Sequence, residues 1–381
     1  MTGAFETGVY RNLFLEYGYD SKEIQRRLEN CFQTMFYGSD EERIYHVTGD
    51  DMGYVEDTGN HDVRTEGMSY AMMVCVQLDK KEEFDRLWKW VCTYMRIEEG
   101  PGKDYFRWSC GTDGTSYSDG PAPDGEEFFA MALFFASNRW GDGEGIFEYK
   151  AQARRILRAC VHKGEEGNFG EPMWNPENKL IKFVTCVEFT DPSYHLPHFY
   201  ELFALWADEG DREFWMEAAK ASREYLHLAC HPDTGLSPEY SEYDGTPHTG
   251  TEEQFGRHDW YYSDAYRTMA NIGLDFSWFG KDPWQKQIAR VFQEFYCVRQ
   301  KDAWDGVFLV DGTLLEEKAL HPTAVIAVNA QASLAAQGAY SRECVDKFWN
   351  TPLRKGDRRY YDNFLYIFAW MALSGNYRIW K

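Results

Sequence analysis

Apolar residues recur along the chain in long runs that alternate with amphipathic segments. Six runs are rich in Ala, Met, Leu and Phe almost all round, which is typical of helices buried on every side. These runs cover residues 67–78, 127–140, 193–206, 265–279, 323–336 and 363–373. Five of them are followed by a helix with a charged stripe, and another such helix precedes them all. The amphipathic segments are 82–95, 149–161, 212–229, 283–298, 341–349 and, near the N-terminus, 21–36.

Six buried helices alternating with six amphipathic ones predict an all-α fold, an (α/α)6 toroid of six inner and six outer helices. An open α-solenoid is the alternative, but it would need a repeating motif and polar caps, and the chain has neither. No Pro-, Ser- or Gly-rich tract and no charge block marks a boundary. We therefore expect residues 1–381 to form a single domain. The segments that precede the inner helices should meet at one end of the barrel.

The charge balance restricts the class of partner. The chain has 62 Asp plus Glu against 40 Lys plus Arg, a formal net charge of −22. This charge opposes binding to nucleic acid or to an anionic membrane surface, both of which require Lys and Arg. No apolar run of 18 residues and no signal-peptide pattern is visible. Nine scattered cysteines without a C-x-x-C pair favour a reducing compartment. We expect a cytoplasmic protein, a monomer, with a neutral or cationic partner.

Carboxylates stand at corresponding positions near the starts of four inner helices. They are Glu66, Asp124, Asp191 and Asp264. Each has a simple structural explanation when taken alone. The helix dipole favours an acid such as Glu66 in a first turn, Asp124 could cap its helix, and Asp264 could pair with Arg267 three residues later. However, the apolar neighbours of Glu66 would raise its pKa, which a general acid requires.

Aromatic residues accompany these carboxylates, and the combination indicates a sugar-binding cleft. The accompanying residues are Trp108, Trp174, Trp260, Tyr194 and Tyr361. The C–H faces of a sugar stack on aromatic rings while its hydroxyl groups bond carboxylates. Hydrolysis of a glycosidic bond requires one protonated and one ionised carboxylic acid, which flank the bond. Glu66 and Asp264 fit that division.

Two patterns raise the question of a metal. His195 and His198 have His-x-x-His spacing, but Pro197 lies between them and no third ligand is close in sequence. Asp50-Asp51 begins an acidic cluster of the kind that holds Mg²⁺ in terpene-cyclase toroids, but Tyr54 stands where the next Asp would be required. We therefore expect neither a metal nor another cofactor.

The stretch APDGEEFFAMALFFASNRW at 122–140 resembles the signature of glycoside hydrolase family 8. It departs from the usual form at Pro123, Glu126 and Phe129. TEGMSY at 65–70 and SDAYR at 263–267 are similar to the general-acid and general-base segments of the family. Within the family the chain is most similar to the branch that releases xylose from the reducing end of xylo-oligosaccharides. DPSYHLP at 191–197 and LHP at 320–322 carry this closer resemblance.

The resemblance implies inverting hydrolysis of β-1,4-xylo-oligosaccharides, with Glu66 as general acid and Asp264 as general base. An inverting pair should lie about 6.5–9.5 Å apart, which leaves room for a water molecule. The resemblance also implies a set of substrate-binding residues. They are Asp124 for sugar hydroxyls, Tyr194 and Arg267 for the attacking water, Trp108 for stacking, His321 for the reducing-end hydroxyl, and Tyr361.

Two alternatives remain at this point. The first is an endo-acting β-1,4-xylanase of the same family, in which the cleft is open at both ends. The second is a toroid that binds oligosaccharides without turnover. The paired settings of Glu66 and Asp264 argue against the second alternative.

Overall fold

The computed structural model describes residues 2–381, and a closed ring of six inner helices forms its core. The inner helices are Thr65–Gln77, Pro123–Trp140, Pro197–Trp206, Tyr266–Trp278, Pro322–Ala336 and Arg359–Leu373. Each contacts the next one in the series, and the last contacts the first. The prediction of an (α/α)6 toroid is therefore confirmed.

The outer helices pack against the inner ones. They are Ser21–Tyr37, Lys81–Trp90, Tyr149–His162, Arg212–Ala229, Trp284–Glu294 and Ser341–Trp349. Ser21–Tyr37 packs on the last inner helix, Arg359–Leu373, so the N-terminal segment completes the outer layer as predicted. The second and fifth outer helices end in π-helical turns, Val91–Met95 and Phe295–Arg299.

The difference in burial between the two layers follows from the sequence pattern. Every residue of Arg359–Leu373 is buried, because this helix has neighbours on all sides. In Arg212–Ala229, by contrast, buried and exposed residues alternate with the helical period. Close packing also depends on Gly67, since a side chain there would collide with the ring of Tyr360.

Short antiparallel strands and short helices lie before and between the long helices, and the sequence pattern did not predict the strands. The strands are Tyr45–Thr48, Met52–Val55, Val63–Arg64, Ser109–Cys110, Trp260–Tyr261, Gly306–Leu309 and Leu314–Lys318. The short helices are Ala4–Thr7, Leu13–Glu16, Gly145–Phe147, Pro192–Tyr194, Glu209–Asp211, Glu252–Phe255 and Ser263–Ala265. Two strands precede site carboxylates: Val63–Arg64 pairs with Ser109–Cys110, and Trp260–Tyr261 pairs with Gly306–Leu309. These pairings anchor the backbone where it enters an inner helix.

Within residues 2–381, no helix combines the length and the apolar character needed to span a bilayer. The nine cysteines are free thiols; Cys186 is exposed, Cys92 is half-buried and the others are buried.

Candidate active site

The segments before the inner helices line a cleft with two lobes at one end of the barrel. The larger lobe has a volume of about 410 Å³, and the smaller lobe one of about 250 Å³. Side chains that define the larger lobe are Trp108, Asp124, Phe183, Tyr194, Tyr240 and Phe255. Those that define the smaller lobe are Asn60, Leu320, His321, Arg358, Tyr360 and Tyr361. Arg64, Glu66 and Asp264 line both lobes, so the two candidate catalytic carboxylates stand at the junction.

Glu66 lies in the first turn of helix Thr65–Gln77, and both of its carboxylate oxygens accept hydrogen bonds. Oε1 accepts a hydrogen bond of 2.9 Å from the Tyr360 hydroxyl, and Oε2 accepts one of 2.8 Å from Nη1 of Arg267. Burial raises the pKa of Glu66 to about 8; the Arg267 charge opposes this rise and the charge of Asp124 adds to it. The group therefore retains a proton at neutral pH.

The Arg267 guanidinium is buried in the centre of the carboxylate cluster, and all four of the recurring acids contact it. Its partners are Glu66 at 2.8 Å, Asp124 at 3.1 Å, Asp191 at 3.4 Å, Asp264 at 3.3 Å and the Tyr70 hydroxyl at 3.1 Å. One positive charge is thus shared among four acids from different segments. The pairing of Asp264 with Arg267, which the sequence offered as a simple structural explanation, is present, but it is only one part of this cluster.

Asp264 is the most accessible acid of the cluster, with 31% of its side chain exposed. It lies in the short helix Ser263–Ala265, where Ser263 has a positive φ of 29°. Two contacts hold this strained turn. The backbone N–H of Asp264 donates to Glu239 Oε1 at 3.2 Å, and the Tyr361 hydroxyl donates to the carbonyl oxygen of Ser263 at 2.9 Å.

Asp124 and Asp191 lie deeper than Asp264. Asp124 lies in the first turn of its helix but does not cap it, because Ala122 occupies the cap position. Its Oδ1 accepts from the backbone N–H of Gly125 at 2.9 Å, and burial raises its pKa to about 6 against the opposing charge of Arg267. Burial also raises the pKa of Asp191, which is fully enclosed. Only Asp124 of these two lines a lobe of the cleft.

The aromatic residues divide between the cleft and the core. Trp108 is 39% exposed and lines the larger lobe, and Cζ of Arg64 lies 5.4 Å from the centroid of its ring. The Tyr194 ring lies in the same lobe, 5.4 Å from Cζ of Arg267. Trp174 was expected near the carboxylates, and this expectation is wrong: its ring is buried against Trp215, with ring centroids 5.0 Å apart.

The smaller lobe has a histidine and a tyrosine in contact with each other. The ring centroids of His321 and Tyr361 are 4.8 Å apart, and Nδ1 of His321 lies 3.4 Å from Oδ2 of Asp362. The structure thus brings together all eight of the predicted site residues. They are Glu66, Trp108, Asp124, Tyr194, Asp264, Arg267, His321 and Tyr361.

Three buried acids or hydroxyls that support the site were not among the predicted residues. Tyr360 bonds Glu66, Asp362 faces His321, and Glu239 bonds the backbone of Asp264. Tyr360 and Asp362 flank Tyr361 in the sequence, which was the available signal for them. No local pattern distinguishes Glu239 from the other glutamates.

The histidine pair is part of the core. His195 bonds the hydroxyl groups of Thr190 and Ser222, both at 2.9 Å. Burial lowers the pKa of His195 and of His198 to about 3, so both rings are neutral. In the described part of the chain, no group of three or more His, Cys, Asp or Glu side chains could hold a metal ion. Asp50 and Asp51 are exposed in the turn between the first two strands.

Four acids at or shortly before the starts of inner helices surround one buried arginine in a toroid, and this arrangement agrees with the resemblance seen in the sequence. The profile of "Glycosyl hydrolases family 8" matches residues 43–374. The chain belongs to glycoside hydrolase family 8. It is therefore a glycoside hydrolase.

Some members of the family have high sequence identity to this chain, and they align with it over nearly its whole length. The reducing-end xylose-releasing exo-oligoxylanase Rex8A of Paenibacillus barcinonensis is 58% identical over 378 residues, covering 99% of this chain and 98% of that protein. The reducing end xylose-releasing exo-oligoxylanase of Bifidobacterium adolescentis is 50% identical over 387 residues, covering 99% and 100%. The solved structure of Rex8A complexed with xylose matches with a TM-score of 0.97, covering 100% of both chains.

Proposed function

We propose that this family 8 enzyme releases xylose from the reducing end of β-1,4-xylo-oligosaccharides with inversion of configuration. The observation that carries the proposal is the asymmetry of the cleft about its catalytic carboxylates. Glu66 and Asp264 stand between a larger lobe with an exposed Trp108 and a smaller lobe bounded by Leu320 and His321. A chain bound across the junction has its longer part in the larger lobe and a short leaving part in the smaller one. The high identity to exo-oligoxylanases along the whole chain supports the same substrate.

The two carboxylates divide the chemistry as acid and base. Glu66 donates its proton to the leaving oxygen, since burial keeps that proton in place at neutral pH. Asp264 takes a proton from the water that attacks the anomeric carbon from the opposite face. The two acids contact different nitrogens of one guanidinium at 2.8 and 3.3 Å. Their nearest oxygens are therefore no more than about 8.5 Å apart, which is compatible with an inverting pair.

The larger lobe binds the sugar units that remain after cleavage. Trp108 stacks against a sugar face, as its exposed ring allows. Asp124 bonds hydroxyl groups of the unit whose bond is broken, and this unit lies against Glu66 and Asp264. Tyr194 and Arg267 hold the attacking water beside Asp264, because both lie within the same buried cluster.

The smaller lobe binds the xylose that leaves. His321 recognises its reducing-end hydroxyl, and Tyr361 packs beside that sugar. Leu320 and His321 limit the number of units beyond the scissile bond, which makes the enzyme exo-acting. An endo-acting xylanase would instead need room for several units in this lobe.

We also propose that the enzyme is a monomer in the cytoplasm. All eight of the predicted site residues come together within one chain, so the proposed chemistry does not require a residue from a second subunit. The nine free cysteines suit a reducing compartment.

The decisive experiment compares xylotriose with its borohydride-reduced form, xylotriitol, by time-resolved product analysis. We expect xylose and xylobiose from xylotriose, with the new end of xylobiose appearing first as the α anomer in NMR spectra. Xylotriitol should resist cleavage of its terminal bond because the ring form of the reducing-end sugar is lost. Equal cleavage of both sugars would contradict reducing-end recognition, and an initial β anomer would contradict inversion.

The alternatives predict different products from the same measurements. An endo-acting enzyme would produce xylobiose as the first product of xylotetraose, whereas the proposed enzyme produces xylose and xylotriose. A toroid that only binds oligosaccharides would release no sugar.

A further inference from the structure

Asp362 is a buried carboxylate that no step of the proposed reaction uses. It lies in the first turn of the last inner helix, directly after Tyr360 and Tyr361, which bond Glu66 and the carbonyl group of Ser263. Its side chain is 0% exposed. A carboxylate taken wholly out of water is costly unless fixed donors bond it. The donors around Asp362 therefore indicate its role.

The partners of Asp362 are His321, which lines the smaller lobe, and two groups that adjoin His321 or Leu320. Oδ1 accepts a hydrogen bond of 2.7 Å from the backbone N–H of Ala324, in the helix that starts after His321. Oδ2 faces Nδ1 of His321 at 3.4 Å and bonds Nη1 of Arg354. The same nitrogen of Arg354 donates to the carbonyl oxygen of Leu320. The carboxylate of Asp362 thus contacts His321 directly and bonds the first turn of helix Pro322–Ala336. Through Arg354 it also holds the backbone of Leu320.

These contacts determine how His321 meets a ligand. A histidine whose Nδ1–H donates to a carboxylate has Nε2 left as an acceptor, and the ring cannot turn without losing that bond. We propose that Asp362, together with Arg354, is a positioning residue that sets the reducing-end selectivity of the smaller lobe by orienting His321 and the Leu320 backbone. This inference rests on the proposed role of His321 in binding the leaving xylose.

The test uses Asp362→Asn and two substrates that differ in what fills the smaller lobe. The leaving xylose of xylotriose occupies the smaller lobe. The leaving group of β-xylobiosyl fluoride is a fluoride ion, so no sugar occupies that lobe. We expect kcat/KM for xylotriose to fall about 10- to 100-fold, as for the loss of one charge-assisted hydrogen bond, while hydrolysis of the fluoride stays within about twofold. The preference for xylotriose over xylotriitol should shrink by a similar factor. Asp357→Asn, at an exposed position of the same segment, is the matched control and should change neither rate.

Either of two results would overturn the inference. An equal loss on both substrates would indicate a purely structural role for Asp362, and an unchanged preference would indicate no role in selectivity. Introducing Asp362→Asn into a His321→Ala enzyme gives an independent check, since the substitution should then have little further effect on the preference. A full effect in that background would also overturn it.

A second variant keeps the test possible if Asp362→Asn does not fold. Arg354→Met removes the other half of the pair, and we expect it to reduce the preference for xylotriose in the same direction. An unchanged preference in this variant would overturn the inference.

The proposed function and this inference fail in distinguishable ways. Wild-type enzyme that cleaves xylotriitol as fast as xylotriose contradicts the proposed function itself. Wild-type selectivity that survives in both variants contradicts only the role of Asp362 and Arg354.

Discussion

Arg267 and Glu66 are 201 residues apart in the sequence, and Nη1 of Arg267 donates a hydrogen bond of 2.8 Å to Oε2 of Glu66. The contact joins the first turns of two inner helices across the cleft. Arg267 opposes the effect of burial on the pKa of Glu66 but does not cancel it, so the acid remains protonated near neutral pH. The guanidinium also pairs with Asp264, at 3.3 Å. One buried cation therefore positions both proposed catalytic groups.

Replacing Glu66 with Gln should lower kcat for xylotriose by about 10²- to 10⁴-fold, because an amide is far too weak an acid to transfer a proton to the leaving oxygen. The change preserves side-chain size, so we expect KM to change little. Xylose release measured by chromatography, with circular dichroism as a check of folding, tests this. Near-normal turnover in a folded variant would contradict the assignment of Glu66.

Replacing Asp264 with Asn should reduce turnover to a comparable extent, about 10²- to 10⁴-fold, because the attacking water loses its base. Asp259→Asn provides a control on the same segment, since its carboxylate bonds Arg257 and does not line the cleft. The ratio of the kcat values for the two variants is the relevant quantity. A ratio close to one would exclude Asp264 as the base.

The basic side of the pH profile should report Glu66. Its pKa is raised to about 8, and the acid must be protonated to act, so kcat/KM should decrease as pH rises through about 8. Initial rates on xylotriose between pH 5 and 10 give this profile, with the stability of the enzyme measured at each pH. A decrease that is already complete at pH 6 would place the group in an ordinary carboxylate environment.

Replacing Arg267 with Met should destabilise the fold, because four buried or half-buried acids lose their shared counter-charge. We expect a cost of about 3–5 kcal/mol in the free energy of unfolding at pH 8. The cost should be smaller at pH 5. The pKa values of Glu66 and Asp124 already lie above their ordinary values and would rise further without Arg267, so protonation at low pH relieves the repulsion. Urea unfolding at both pH values measures the cost in the free energy of unfolding, with Arg212→Met on an outer helix as the control. A cost that is independent of pH would contradict this explanation.

Replacing Trp108 with Ala should weaken substrate binding more than it slows the reaction. We expect KM for xylotriose to rise about tenfold, equivalent to about 1.4 kcal/mol of lost binding energy, with kcat reduced much less. The control is Phe169→Ala, which removes an aromatic ring that is 82% exposed and is not part of the cleft lining. An unchanged KM in the Trp108 variant would exclude a stacking role.

The helical layers could be predicted because their signal is local. The apolar run at 323–336 became helix Pro322–Ala336, and the amphipathic segment at 341–349 became helix Ser341–Trp349. A helix repeats its contacts every three to four residues, so a short window contains the whole pattern. The strands Val63–Arg64 and Ser109–Cys110 were not predictable in this way. Each has two residues, and the two pair across a long separation in the sequence.

The sequence by itself determined the toroid, the family and the candidate acids Glu66 and Asp264, because each of these depends on a local pattern or a motif. Only the tertiary structure decided how the acids are used. The sharing of Arg267 among four acids requires the ring to close and bring distant helix starts together. The same holds for the bond from Tyr360 to Glu66, which spans 294 residues, and for the place of Asp362 behind His321. Burial and charge act through space and not along the chain, so the protonation of Glu66 depends on groups that the folded barrel alone places around it.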